Sequence, residues 1–426
     1  MTLTQTRPRD ADLALAARDD ALPCLATVLD DDRLSGLAGE QLRVTRVRYK
    51  PRTSALVAFV RTRNGHEDFG WALTRAPDGN VKLYGRAHNS ATHGGGMRLF
   101  LPDMGNPEAI VAVGGVDDDW DLRRNLRWLG RSGLEQLGAV PVPVPGPGLL
   151  SGSARVLRYK PERRLVLMQE TPGGSIVIKV AARPVHEELE LLFHQRLQLH
   201  GVPVLPRLGG QAFPRHGISA SPAWGDGDLL ACGDHNAAHR AGETLARLHG
   251  IPVQADSSPD PRLEGPLNQL KSTHAMVRAL VPALNAPAAK VAARIRRQLE
   301  ERPGHRAGAL VHGDFSADQV LVSGAEVRLI DFDRSHYGVR EEDLGSFAAV
   351  EELSVWRGHA DASRGRHTEA LFDGYAHAGG RFAPAAVQTW TALRMFCSCV
   401  DPFRDRTPEW AAEMARQIDR AAELVP

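Results

Sequence analysis

Cysteine is scarce in this chain. Only Cys24, Cys232, Cys397 and Cys399 occur among 426 residues, and their spacing suggests neither a disulfide framework nor a zinc site. A reducing, cytoplasmic setting is the simplest expectation. No apolar run approaches the roughly 20 residues of a membrane span, so no membrane partner is expected. An excess of one charge is missing too. The formal net charge is +1, which argues against a broad nucleic-acid surface. The first 20 residues, MTLTQTRPRDADLALAARDD, are charged throughout and lack the apolar core of a signal peptide. What is present is the composition of a soluble globular protein, 42% hydrophobic and 24% charged. The length calls for two or three domains.

Residues 138–153, GAVPVPVPGPGLLSGS, are the clearest punctuation. Alternating Pro and Gly disfavour helix and favour an extended connector. The GxG within it follows prolines and precedes a strand, so it is not a dinucleotide fingerprint. The domain limits expected from this are 1–145, 146–222 and 223–426.

The segments flanking this boundary resemble each other. Residues 46–59 read RVRYKPRTSALVAF, and Ala154–Met168 read ARVLRYKPERRLVLM. Each predicts a strand, a Lys-Pro turn and a second strand, followed by a third. The shared order suggests duplication of a small β-unit. In the second copy the third strand is SIVIKV, with Lys179 among β-branched residues; in the first it is FGWALT, where Thr74 is the nearest comparable residue. A lysine inside such a strand is costly without an anionic partner. The helix expected in AARPVHEELELLFHQRLQLHG offers two, Glu187 and Glu190, three residues apart on one face. DDDWDLRRNLRWLG, residues 117–130, is expected to supply a helix to the N-terminal module.

LLACGDHNAAHRAGETLARLHG predicts a helix capped by Asp234. His235 and His239 stand at i, i+4 near Cys232, but no glutamate lies between them as in HExxH. Capping and packing explain the segment more simply than metal.

Residues 311–322 read VHGDFSADQVLV, and QVLVSGAEVRLIDFD follows from Gln319. The expected hairpin, turning at Gly324, returns Asp331 beside the loop that carries Asp314 and Gln319. Phosphoryl transfer needs a carboxylate to orient or deprotonate a hydroxyl, oxygen ligands for Mg²⁺, and a lysine on the nucleotide phosphates. Asp314 suits the first role, Gln319 and Asp331 the second, and Lys179 the third.

These motifs resemble the aminoglycoside phosphotransferase-type kinases, a branch of the protein-kinase-like superfamily. His312-Gly313-Asp314, Gln319, Leu329-Ile330-Asp331 and Asp343-Leu344 follow that family's order, with Lys179 upstream. Glutamine at 319, where asparagine is commoner, and a module ahead of the kinase also resemble bacterial maltokinases. The resemblance covers residues 153–426. It implies an α+β, bilobal fold with a small antiparallel β N-lobe and a mainly α C-lobe, preceded by a β-rich cap. It implies Asp314 as catalytic base, Gln319 and Asp331 as Mg²⁺ ligands, and Lys179 on the ATP phosphates, paired with Glu190. His312 and Asp343 would brace the loop. The YKPERR turn would contact the triphosphate through backbone amides, with Lys160, Arg163 or Arg164 assisting.

The acceptor is open. From Glu341 onward there are 14 Asp and Glu against nine Arg, which suits a polyhydroxylated or amino-bearing small molecule. A sugar, amino-sugar or aminoglycoside hydroxyl is the first reading. A Ser/Thr kinase of a biosynthetic peptide and a nucleotide-binding pseudoenzyme are the alternatives. ATP versus GTP and oligomeric state are not encoded in any motif.

Overall fold

A computed structural model describes residues 10–63, 65–139, 154–183, 187–252, 263–301, 308–358 and 367–425, with backbone alone at 63 and 187–191. The connector expected at 138–153 lies outside the described residues from 140 onward. The fold is α+β. It forms two compact units: Met1–Glu190 with Pro206–Ala223 and Asp401–Ala411, and Leu191–Leu205 with Trp224–Val400 and Ala412–Pro426.

The first unit holds two antiparallel sheets. One comprises β1 (Arg43–Lys50), β2 (Ser54–Arg63), β3 (His66–Arg75), β4 (Arg98–Phe100) and β5 (Val111–Gly115), in the order β1-β2-β3-β5-β4. The other comprises β6 (Ala154–Lys160), β7 (Arg164–Thr171), β8 (Gly174–Ala181) and β9 (Ile218–Pro222), in chain order. Strand alternation turns Leu165, Leu167, Ile176, Ile178 and Val180 into one core that also contains Leu56, Trp71 and Leu73 of the first sheet. Each such side chain is worth about 1.5–3 kcal/mol when fully buried.

The duplication extends further than the sequence suggested. In both copies the residue after the Lys-Pro pair has positive φ, +59° at Arg52 and +55° at Glu162. Non-glycine residues rarely adopt this conformation, and the same fixture holds both. Asp19 accepts from Tyr49 Oη at 2.5 Å and from Arg52 N at 2.9 Å. Asp119 accepts from Tyr159 Oη at 2.9 Å and from Glu162 N at 2.8 Å. Each aspartate also accepts, through its backbone oxygen, from a buried leucine three residues on, Leu22 or Leu122. The repeated unit therefore begins upstream of the strands, at the aspartate.

Two expectations change here. The helix Arg123–Trp128, expected in the N-terminal module, serves the second sheet: Asn125 Nδ2 donates to Ala181 O at 2.8 Å, and Trp128 stacks on His216. The counterpart of Lys179 is Leu73, not Thr74. Lys179 pairs with Val166 and Leu73 with Leu56, the matching positions of the two hairpins. Ile218–Pro222 is a strand that places Ser219 opposite Lys179. The change of unit follows at Ala223–Trp224.

Asp401–Ala411 packs within the first unit although its neighbours in sequence belong to the second. Arg406 meets Asp12 in a bidentate pair at 3.1 and 2.7 Å, and Trp410 Nε1 donates to the same carboxylate at 3.1 Å.

The second unit is mainly helical. Helices His235–His249 and His367–His377 touch closely at two glycines. A methyl on Gly242 would run into Leu371 O, and one on Gly374 into His239 O. Asp234 caps the first of these helices by accepting from Asn236 N at 2.8 Å, as expected. Helix Glu187–Leu199 straddles the units. Its later turns belong to the second, where Phe193 meets Phe332 and Arg196 Nη1 donates to Tyr337 Oη at 2.8 Å. β10 (Gly227–Asp228), β12 (Val320–Ser323) and β13 (Glu326–Leu329) form one small sheet; β11 (Ala309–Val311) and β14 (His336–Gly338) form another.

Candidate active site

β11 delivers the chain to His312-Gly313-Asp314. The loop is held by one carboxylate that is fully buried. Asp343 Oδ2 accepts from His312 N at 2.6 Å, and Oδ1 accepts from Gly313 N at 2.8 Å. His249 Nε2 lies 3.0 Å from Oδ2, and His249 Nδ1 lies 2.9 Å from Tyr375 Oη. Burial alone would raise the Asp343 pKa; hydrogen bonds from His249 and the loop amide outweigh it and hold it below the ordinary carboxylate range. His312, also fully buried, reaches Ile330 O with Nε2 at 2.8 Å. The bracing role expected of His312 and Asp343 is thus visible in the geometry.

The β12–β13 hairpin turns at Gly324, φ +52°, and pairs Val320 with Leu329. One step outward, Ile330 N donates to Gln319 O at 3.1 Å. Gln319 and the residue next to Ile330, Asp331, therefore lie at the same end of the hairpin. Asp331 has φ +64° and ψ +53°. A non-glycine residue held in this left-handed region costs of order 1–3 kcal/mol and often marks a functional site. The donor set, one amide oxygen and one carboxylate, suits a hard cation such as Mg²⁺.

Asp314 is half-buried. Its Oδ1 lies 2.8 Å from Arg394 Nη2, and its Oδ2 lies 3.6 Å from Arg334 Nη1. Neither arginine was singled out in the sequence. Arg394 had a signal, a single charge inside the apolar run TWTALRMFCS. Arg334 and His249 had none.

Beside the loop, His336 Nε2 stands 3.3 Å from Glu342 Oε2. The Glu342 carboxylate beside it raises the His336 pKa to about 9, above an ordinary imidazole. Burial pushes Glu342 up in turn, and the His336 charge opposes that. A raised histidine pKa stabilises the fold fully below the unfolded value of about 6.5, and this contribution is lost as pH rises through about 9. The melting temperature of the wild type should therefore fall between pH 7 and 10 by more than that of His336→Gln, as read by thermal unfolding across that range.

In the first unit, Lys179 is half-buried on β8, on the opposite face from Ile176, Ile178 and Val180. Glu187 and Glu190 lie on helix Glu187–Leu199, but their side chains are outside the described residues. The YKPERR turn departs from expectation. Glu162 N–H is taken by Asp119 and Arg163 N–H by Lys160 O, so these two amides are already satisfied within the turn. Burial, with Arg158, Arg46 and Arg164 nearby, lowers the Lys160 pKa to about 7. Glu162 itself is held by Arg48 and Arg86.

The acid surplus after Glu341 is largely used internally. Glu351 pairs with His367, Glu352 with Arg420, Glu413 with Arg357, and Asp401 with Arg404. It therefore says little about the acceptor.

The family model described as "Phosphotransferase enzyme family" matches residues 123–396. The chain belongs to the phosphotransferase enzyme family. The match begins at the first residue of helix Arg123–Trp128, which the geometry above ties to the second sheet. A search of curated protein sequences finds no match. Among solved structures, a spectinomycin phosphotransferase complexed with ADP and spectinomycin is 14% identical, with a TM-score of 0.46, covering 64% of this chain and 92% of that one. An amicoumacin kinase complexed with AMP-PNP and Ca²⁺ is 15% identical, TM-score 0.47, covering 64% and 89%. A choline/ethanolamine kinase family protein from Mesorhizobium loti is 18% identical, TM-score 0.44, covering 68% and 93%. The ligands in those structures describe those proteins. Among the described residues of this phosphotransferase, no helix is long and apolar enough to cross a membrane.

Proposed function

We propose that this phosphotransferase moves the γ-phosphate of ATP to a hydroxyl of a small molecule, with a sugar or amino sugar as the first acceptor to test. The observation that supports it most is the braced loop: Asp343 fastens His312 and Gly313, and Asp314 follows. A rigid loop presenting one carboxylate is what a base for a hydroxyl needs. In this reading Asp314 takes the acceptor proton as the hydroxyl oxygen bonds to phosphorus and ADP departs. Lys179 binds the nucleotide phosphates, paired with Glu190. Gln319 and Asp331 would hold Mg²⁺, which would neutralise phosphate charge. Residues 1–145 act as a cap that supports the nucleotide-binding sheet, and the cytoplasm is the proposed setting.

Gln319 separates liganding from packing. Gln319→Ala should weaken both magnesium dependence and turnover. Gln319→Asn should keep appreciable activity because the amide oxygen remains. Steady-state rates titrated with Mg²⁺ check this, and equal, complete loss in both variants would mean that the residue acts by packing. The acceptor is sought by incubating the protein with ATP, Mg²⁺ and panels of sugars, aminoglycosides and hydroxyl peptides, with phosphorus detection. Phosphorylation of peptides alone would replace the small-molecule reading.

A further inference from the structure

Arg394 is a single charge on an otherwise uncharged helix. It lies on helix Pro384–Ser398, whose Trp390, Leu393, Met395 and Phe396 are buried. Its own side chain is only a quarter exposed, and its Nε is buried without a hydrogen bond. A guanidinium in such surroundings is costly unless a carboxylate compensates it. The carboxylate it touches is Asp314, at 2.8 Å, and its charge also acts on the buried Glu342 carboxyl.

The pair is not needed to shape the loop. Asp343 already holds His312 and Gly313, and His312 holds Ile330. What Arg394 adds falls on the Asp314 side chain. It pairs by charge with Oδ1, a buried oxygen that has no hydrogen bond, while Arg334, itself 59% exposed, stays at 3.6 Å from Oδ2. One oxygen is drawn against a buried guanidinium and the other is left with a screened, solvent-facing neighbour.

We propose that Arg394 is the positioning residue of the base: it fixes one oxygen of Asp314 so that the other is presented to the attacking hydroxyl. This rests on the reading of Asp314 as base. It adds that a residue about 80 positions downstream, outside the loop motif, sets the base's orientation. Misorientation of a reacting group by even a small angle costs catalysis without a matching loss of binding.

Water can serve as acceptor, so slow ATP hydrolysis tests the proposal with no acceptor identified. Arg394→Ala should lower kcat about tenfold with KM for ATP nearly unchanged, and Arg394→Lys should recover part of the loss. Millimolar guanidinium should partly rescue Arg394→Ala. In an Asp314→Asn background, Arg394→Ala should cost almost nothing more, because both act through one carboxylate. An equal tenfold loss in both backgrounds, or no loss in either, overturns the proposal. A second measurement needs no turnover. Carbodiimide labelling of Asp314, read by peptide mass spectrometry, should be several-fold faster in Arg394→Ala than in wild type, and equal rates overturn the proposal. Near-normal turnover in Asp314→Asn with faster labelling in Arg394→Ala would keep the pairing and reject the reading of Asp314 as base.

Discussion

Asp314→Asn should lower kcat for phosphoryl transfer by about 10²–10⁴, the usual worth of general-base assistance. Asparagine preserves the size of the side chain and can still accept a hydrogen bond, but it cannot take up the acceptor proton. Nucleotide affinity should change little, since Lys179, Gln319 and Asp331 remain. Single-turnover transfer, with nucleotide binding measured separately, distinguishes the two effects. Near-normal turnover would mean that another group is the base. Loss of binding together with turnover would mean that the residue holds nucleotide or metal instead.

Asp343→Ala should be the most damaging single change to the fold around the loop. It strips the acceptor from His312 N and Gly313 N and leaves His249 facing an empty space. Each buried donor left without its acceptor costs about 1–3 kcal/mol. That is a large part of the stability of an ordinary domain, about 5–15 kcal/mol. Denaturant unfolding should show the loss, and activity should vanish even in conditions where the variant remains folded. Asp343→Asn keeps one acceptor oxygen and should fall between. Unchanged stability in Asp343→Ala would show that the hydrogen bonds to the loop contribute little.

Much of this was legible in the sequence because it depends on short-range patterns. Alternating apolar residues gave β6, β7 and β8, and the RYKP repeat gave matching hairpins at Arg43–Arg63 and Ala154–Thr171. Gly324 marked the turn that brings Gln319 and Asp331 to one end of a hairpin. The misses share a cause. Asp19 and Asp119 lie 30 and 40 residues from the tyrosines they hold, and no periodicity links them. Thr74 stands one residue from the true counterpart of Lys179 because pairing register, which no local pattern encodes, sets the match, and a slip of one residue moves a side chain to the opposite face. Residues 117–130 read as a helix of the N-terminal module because the proline-rich stretch beyond them marks the boundary, whereas Arg123–Trp128 is tied to the second sheet. Its polar contact, Asn125 to Ala181, spans 56 residues. Arg394 and His249 act across similar separations, where sequence pattern is silent and only folding brings the charges together.

If the chain consumes ATP to phosphorylate a hydroxyl, phosphorus NMR of ATP and Mg²⁺ with the protein and a sugar panel reads the conversion directly. The γ-phosphate signal should be lost as a phosphate-monoester signal grows, both slowed about 10²–10⁴-fold in Asp314→Asn. ATP that binds but persists unchanged with every acceptor would contradict this reading and favour a nucleotide-binding protein without turnover.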